Sequence, residues 1–192
     1  MEDRRVSRTK NAVMQAFLEL SAQNDTGKVT VTELAKKANI DRKTFYLHYD
    51  SVDAVFEEYV RSRIDELLPV LRANGFFDSP FDASVFFKSV FFVFEKDIQL
   101  YHRVAANPAN AYLRDKLRII LKDEIRKKVF SDMLGLKARE YEYFSEFVSY
   151  GAIAVYLKWL AADTRDLTSD ELANFVGGAM NGAFKALSGE NK

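Results

Sequence analysis

Apolar residues recur three and four positions apart along most of the chain, and no stretch alternates apolar with polar residues over the length of a strand. That period predicts helices throughout. Residues 6–22 carry one stripe, Val6, Val13, Ala16, Phe17 and Leu20, and the run N-D-T-G at 24–27 ends it, with Gly27 as the terminator. Thr30 followed by Glu33 reads as a capping box for a short helix with Val31, Leu34, Ala35 and Ala38 on its apolar face. Asn39 stands where a tight turn between two short helices needs a left-handed residue, a conformation asparagine tolerates better than most side chains. Ile40 plugs that turn and Asp41 caps a second short helix over 42–48. Asp50 and Ser51 cap a longer helix to about residue 73, in which Pro69 is expected to introduce a kink. After the break at 73–80, one or two helices are expected over 81–106, then helices at about 110–133, 138–163 and 169–187, the last capped by Thr168 or Ser169. The fold class is all-α, about nine helices: a three-helix N-terminal domain over 1–50 and a larger helical domain over 51–192.

Composition narrows the function. With 48% hydrophobic and 29% charged residues, three prolines and eight glycines, the chain can bury a substantial core in long uninterrupted elements. It has no cysteine, which excludes a disulfide framework, a thiolate zinc site and a cysteine nucleophile. The polar start M-E-D-R-R-V-S-R-T-K is not followed by an apolar segment of the signal-peptide kind. The longest apolar run, 147–162, is interrupted by Lys158 and is short for a membrane span. A cytoplasmic protein with no membrane association is expected. Net charge is zero, but residues 1–50 hold nine Lys/Arg against seven Asp/Glu, which makes this end the more cationic.

Two short helices joined by a tight turn, with basic and hydroxyl residues on the second, have the spacing of a helix-turn-helix DNA-binding domain. On the second helix Phe45 and Tyr49 lie four apart and face the first. Arg42, Lys43, Thr44, Tyr46 and His48 are left to face outward, nearly all of them able to donate to phosphates or base edges. Thr30 and Thr32 at the start of the preceding helix offer hydroxyl and backbone donors to a phosphate. His48 has no serine, cysteine, paired carboxylate or second histidine at a spacing that would make it catalytic or metal-ligating, so an enzyme is not expected.

The run T-V-T-E-L-A-K-K-A-N-I-D-R-K-T-F-Y-L-H-Y-D-S-V-D-A-V-F, residues 30–56, resembles the TetR family of transcriptional regulators, with T-F-Y-L-H-Y at its centre. By position, the resemblance implies that Arg42, Lys43 and Thr44 read bases in the major groove, while Thr30, Tyr46 and His48 anchor phosphates. Three positions depart from the family pattern: Asn39 for glycine, Asp41 for serine, and Val52 for the lysine that usually opens the fourth helix and contacts a phosphate. The last departure is expected to weaken DNA binding.

Residues 76–94 hold eight of the 16 phenylalanines, on every side of one helix, which predicts burial all round. Bulky rings with a few polar tips suit either a plain aromatic core or a pocket for an apolar small molecule. The resemblance implies an effector pocket, for which Phe87, Phe91, Phe94, Tyr101, His102, Tyr112, Phe147 and Tyr150 are the candidates. In the last helix Phe175, Val176, Ala179, Met180, Ala183 and Phe184 form a broad stripe beside Gly177, Gly178 and Gly182. Each mid-helix glycine costs about 1 kcal/mol relative to alanine, so three in six residues point to close helix–helix approach. Together with Tyr150, Ala154 and Leu157 of the preceding helix, this stripe is expected to build a homodimer interface of TetR type. No cofactor or metal is expected. The partners would be double-stranded DNA with a near-palindromic operator, a second copy of the chain and a small-molecule effector. The chain would act as a repressor released by a small apolar or aromatic effector; the alternative is a co-activator whose C-terminal domain responds to a protein partner.

Overall fold

The computed structural model describes residues 4–23, 29–78, 82–128 and 138–188. Among them are nine α-helices and no strand: α1 (Arg4–Gln23), α2 (Val31–Lys37), α3 (Arg42–Tyr46), α4 (Val52–Ala73), α5 (Ala83–Glu95), α6 (Ile98–Ala106), α7 (Ala111–Lys128), α8 (Ala138–Ala161) and α9 (Ser169–Ser188). A single 3-10 turn at Pro108–Asn110 precedes α7. The stop expected at Gly27 and the continuation expected from 129 to 133 lie outside the described residues.

Local chemistry sets the helix boundaries. Ser51 caps α4 through a hydrogen bond from the Ala54 amide at 3.2 Å. That helix runs without interruption through Pro69, which is exposed and only one turn from the end, where the lost bond matters least. Thr168 caps α9 in a reciprocal box, its hydroxyl accepting from Glu171 N–H at 3.2 Å while the Glu171 carboxylate accepts from Thr168 N–H at 2.8 Å. The phenylalanine-rich region divides into α5 and α6 at Lys96–Asp97.

The core begins in the N-terminal helices, where Val13 and Phe17 of α1, Leu34 of α2 and Phe45 of α3 are buried, and the Phe17 ring lies 6.2 Å from Phe56 of α4. It continues into a helical body built round α4 and α5. Burial of α5 is not complete: Phe86, Phe87, Phe91 and Phe94 are inside, but Phe92 is 59% exposed. The helix packs on α4 at one side and α9 at another, which leaves a solvent edge that the all-round apolar pattern did not suggest. At its start, Asp82 accepts from the Ser84 amide and the Asn181 side-chain amide, while Asn181 Oδ1 accepts from the Ala83 N–H at 2.8 Å. This polar clasp ties α5 to α9 where Gly177 lets the two backbones meet; a Cβ there would collide with the backbone of Ser84. Among the described residues no helix is long and apolar enough to cross a membrane.

Candidate nucleic-acid interface and helical-body cavities

The α2–α3 unit is fixed by short-range hydrogen bonds. The Thr30 hydroxyl accepts from the Glu33 amide at 3.2 Å and donates to the Glu33 carboxylate at 2.7 Å, which also accepts from the Thr30 N–H. Asn39 takes the left-handed conformation, φ 54°, and the Ile40 amide closes the turn on the Ala35 carbonyl at 3.0 Å. Asp41 caps α3 by accepting from the Thr44 amide at 2.8 Å and the Thr44 hydroxyl at 2.9 Å. Those bonds hold the Asp41 carboxyl below its ordinary range, the backbone amide of Thr44 contributing most. The Thr30 hydroxyl lowers Glu33 likewise. Both acids are therefore charged at neutral pH beside the face that would meet phosphates.

That face has separated into the two sets the spacing implies. Phe45 and Tyr49 are buried, their rings 5.8 Å apart, and Lys10 of α1 lies over the Tyr49 ring at 5.6 Å. Thr30, Thr32, Arg42 and Lys43 are exposed, as is Tyr46, which stands edge-on to Phe45. Thr44 and His48 are half-buried. Two of the hydroxyls, on Thr30 and Thr44, already donate to their own capping acids. Leu47, at 74%, is the most exposed large apolar residue of this unit and was not among the candidates. Its position four residues after Lys43 on the same helical edge is the signal that would have found it.

Val52, at the place of the family's lysine, is half-buried and packs against the core. Its neighbours point into the fold: Lys116 of α7 pairs with Glu57 at 2.6 Å and Asp53 at 3.3 Å. The hydrogen bond to Glu57 is the main reason the Lys116 pKa is raised. This cation ties the start of α4, next to the α2–α3 unit, to the helical body.

The eight candidate effector residues do not come together at one place. Phe87, Phe91 and Phe94 line an apolar cavity of about 90 Å3 between α5, α7 and α8, along with Phe144, Val148 and Tyr156, the last stacked on Phe91 at 4.3 Å. Tyr101 is packed solid between Tyr59, 6.2 Å away, and Phe94, 5.1 Å away. His102 and Tyr112 line a separate, more polar cleft of about 580 Å3 bounded by α1, the start of α4, α6 and the start of α7. His102 is anchored there by its Nδ1, which donates to the Leu160 carbonyl at 2.5 Å. Phe147 and Tyr150 face outward, 62% and 50% exposed, with Arg118 over the Tyr150 ring at 3.8 Å.

The stripe proposed for self-association also divides. Tyr150, Ala154, Phe175 and Ala179 are exposed; Leu157, Ala183 and Phe184 are half-buried; Val176 and Met180 are buried within the protomer. Phe184 packs 6.2 Å from Phe144. What remains outside is regular: Phe147, Tyr150, Gly151 and Ala154 on α8, and Phe175, Gly178, Ala179 and Gly182 on α9, each at spacings of three, one and three. Phe147 thus shares an edge with the self-association candidates rather than with the cavity.

Residues 13–59 match the family model described as bacterial regulatory proteins, tetR family. An uncharacterized HTH-type transcriptional regulator, YxbF, of Bacillus subtilis (strain 168) is 34% identical over 67 residues, 34% of this chain. The match spans only 18% of that protein. Among solved structures, a TetR transcriptional regulator from Streptococcus agalactiae 2603V is similar at a TM-score of 0.63 and 20% identity, over 93% of this chain and 96% of that one. The dihydroxyacetone kinase operon activator DhaS is similar at 0.62 and 13%, over 93% and 97%. The solved structures share the all-helical fold of this chain along nearly its whole length. The likeness to the TetR family rests on residues 13–59.

Proposed function

We propose that the protein is a transcriptional repressor that binds a near-palindromic operator as a homodimer and is released when a small apolar effector enters the helical body. The observation that carries this reading is the division of α3 and the turn after it into a buried edge, Phe45 and Tyr49, and an outward edge with Arg42, Lys43 and Tyr46. Arg42, Lys43 and Thr44 would read base edges in the major groove; Thr30, Thr32, Tyr46 and His48 would hold phosphates. Thr44 enters with its hydroxyl proton already given to Asp41, so it would meet DNA as a methyl group and an acceptor unless that bond opens. Two copies joined along the exposed α8 and α9 edges would place two α3 helices on successive major grooves, about 34 Å apart. Release is a population shift: the effector has to favour the arrangement in which that separation no longer fits. Lys116, bound to Asp53 and Glu57, supplies a rigid link by which a movement of α7 reaches α4. Such a regulator would work in the cytoplasm.

A second reading is favoured by the size of the apolar cavity. At about 90 Å3 it is well below the several hundred Å3 of an ordinary small-molecule site. On this reading the helical body answers to a protein partner, and the regulator acts as a co-activator. Gel-shift and footprinting on DNA flanking the protein's own gene test both. A protected inverted repeat with the purified protein alone supports the repressor. Protection only after a cellular protein fraction is added supports the co-activator, and no protection in either condition rejects both.

A further inference from the structure

The apolar cavity has one end of different character. Basic residues recur every four positions along α7, at Arg114, Arg118, Lys122 and Arg126, and so share one edge of the helix. The first three are committed inside the protomer. Arg114 donates to the carbonyls of Val104 and Asn107 at 3.1 and 2.9 Å, Arg118 lies over Tyr150, and Lys122 pairs with Glu146. Arg126 is exposed and makes no ion pair or hydrogen bond among the described residues. Lys122 and Arg126 both line the cavity, together with Ser145 and Ser149 of α8. The serine hydroxyls donate back to their own helix, Ser145 to the Glu142 carbonyl at 2.8 Å and Ser149 to the Ser145 carbonyl at 2.7 Å. The side-chain donors that this end can turn toward a ligand are therefore the two cations, one of them without a partner among the described residues.

We infer that the effector is a short-chain aliphatic monocarboxylate, its alkyl tail among Phe87, Phe91 and Tyr156 and its carboxylate on Arg126 and Lys122. This rests on the effector reading above. Glu146 already balances Lys122, so among the described residues the lining carries one surplus positive charge; a monoanion neutralises it and a dianion would exceed it. The guanidinium presents a planar pair of donors that matches a carboxylate in bidentate fashion. Size sets the tail: an apolar cavity of about 150 Å3 takes benzene, so about 90 Å3 takes roughly three or four carbons. Butyrate and pentanoate have that length beyond the carboxyl carbon.

Equilibrium dialysis of the full chain against straight-chain acids from acetate to octanoate, with the amides and primary alcohols of matching length, tests the inference. Butyrate or pentanoate should bind most tightly in the series, at least tenfold more tightly than its own amide. Arg126→Met should reduce the acid to the level of the amide, and Arg126→Lys should recover most of the difference; circular dichroism confirms that both variants fold. Acid and amide binding within twofold of each other, or an unchanged acid affinity in Arg126→Met, overturns the carboxylate assignment and leaves the cavity as the effector site. If no acid, amide or alcohol of any length binds, the effector reading falls as well.

Discussion

Gly177, Gly178 and Gly182 lie within six residues of α9 and separate two kinds of helix contact. Replacing any of them with alanine removes the helix penalty of glycine, a gain of about 1 kcal/mol. At Gly177 the added Cβ would collide with the Ser84 backbone, which cannot rotate away as a side-chain tip would. Overpacking of that kind costs about 1–3 kcal/mol, so Gly177→Ala should lose up to about 2 kcal/mol net. In a chain of this size that is a fall in Tm of up to roughly 8 °C. At Gly178 and Gly182 nothing lies within 4 Å of the added atom, so the protomer should keep the gain. Both, however, sit on the exposed edge with Phe175 and Ala179, where the proposed partner copy would press. The two substitutions should therefore weaken dimerisation while stabilising the isolated fold. Thermal unfolding at fixed protomer concentration gives the first quantity and sedimentation velocity the second; the concentration must be held because dissociation shifts the apparent midpoint. A Gly177→Ala variant at or above the parent midpoint would refute the close α5–α9 packing. Unchanged dimer dissociation in both Gly178→Ala and Gly182→Ala would refute the α8–α9 edge as the interface.

Arg42→Ala should relax specificity at one base position of the operator, whereas His48→Ala should weaken binding to all sequences alike and lower the salt slope by about 1, both read by gel-shift at several salt concentrations. Lys116→Met removes the ion pairs to Asp53 and Glu57; being partly exposed they contribute only about 1 kcal/mol or less to stability, but operator release by effector should fail while operator affinity holds, as fluorescence anisotropy would report. Asp82 is held below its ordinary carboxyl range, first by the Asn181 amide and then by the Ser84 backbone N–H. A depressed folded pKa contributes stability above the unfolded value, near 3.8, that is lost as the pH falls through the folded pKa, so Asp82→Asn should flatten acid unfolding below about pH 4.

The N-terminal unit was legible because its order is local. The box of Thr30 and Glu33, the positive φ of Asn39 and the Asp41 cap each involve residues within three or four of one another, and the chain spells them in sequence. The outward and inward edges of α3 followed from the same helical period. Leu47 carries no hydrogen-bonding group, so the chemistry that marks its neighbours on the exposed edge does not mark it. In the helical body the helices themselves were legible, but their neighbours were not. Aromatic content could not distinguish Phe91, stacked on Tyr156, from Phe92, in solvent, since that depends on which helix lies alongside. Tyr101 and His102 are adjacent in sequence, yet one is core and the other lines the polar cleft. Three glycines together suggested close approach, and only the fold assigns Gly177 to α5 and leaves the other two outside.

On the proposed function, paired α3 helices read a symmetric DNA site. In vitro selection of bound duplexes from a random pool, with the parent protein and Arg42→Ala side by side, tests it most directly. An enriched inverted repeat is expected, its half-site centres one helical turn or a multiple apart, with both half-sites degraded at the same base by Arg42→Ala. A pool that stays random for the parent, or an asymmetric single site indifferent to Arg42, would contradict it.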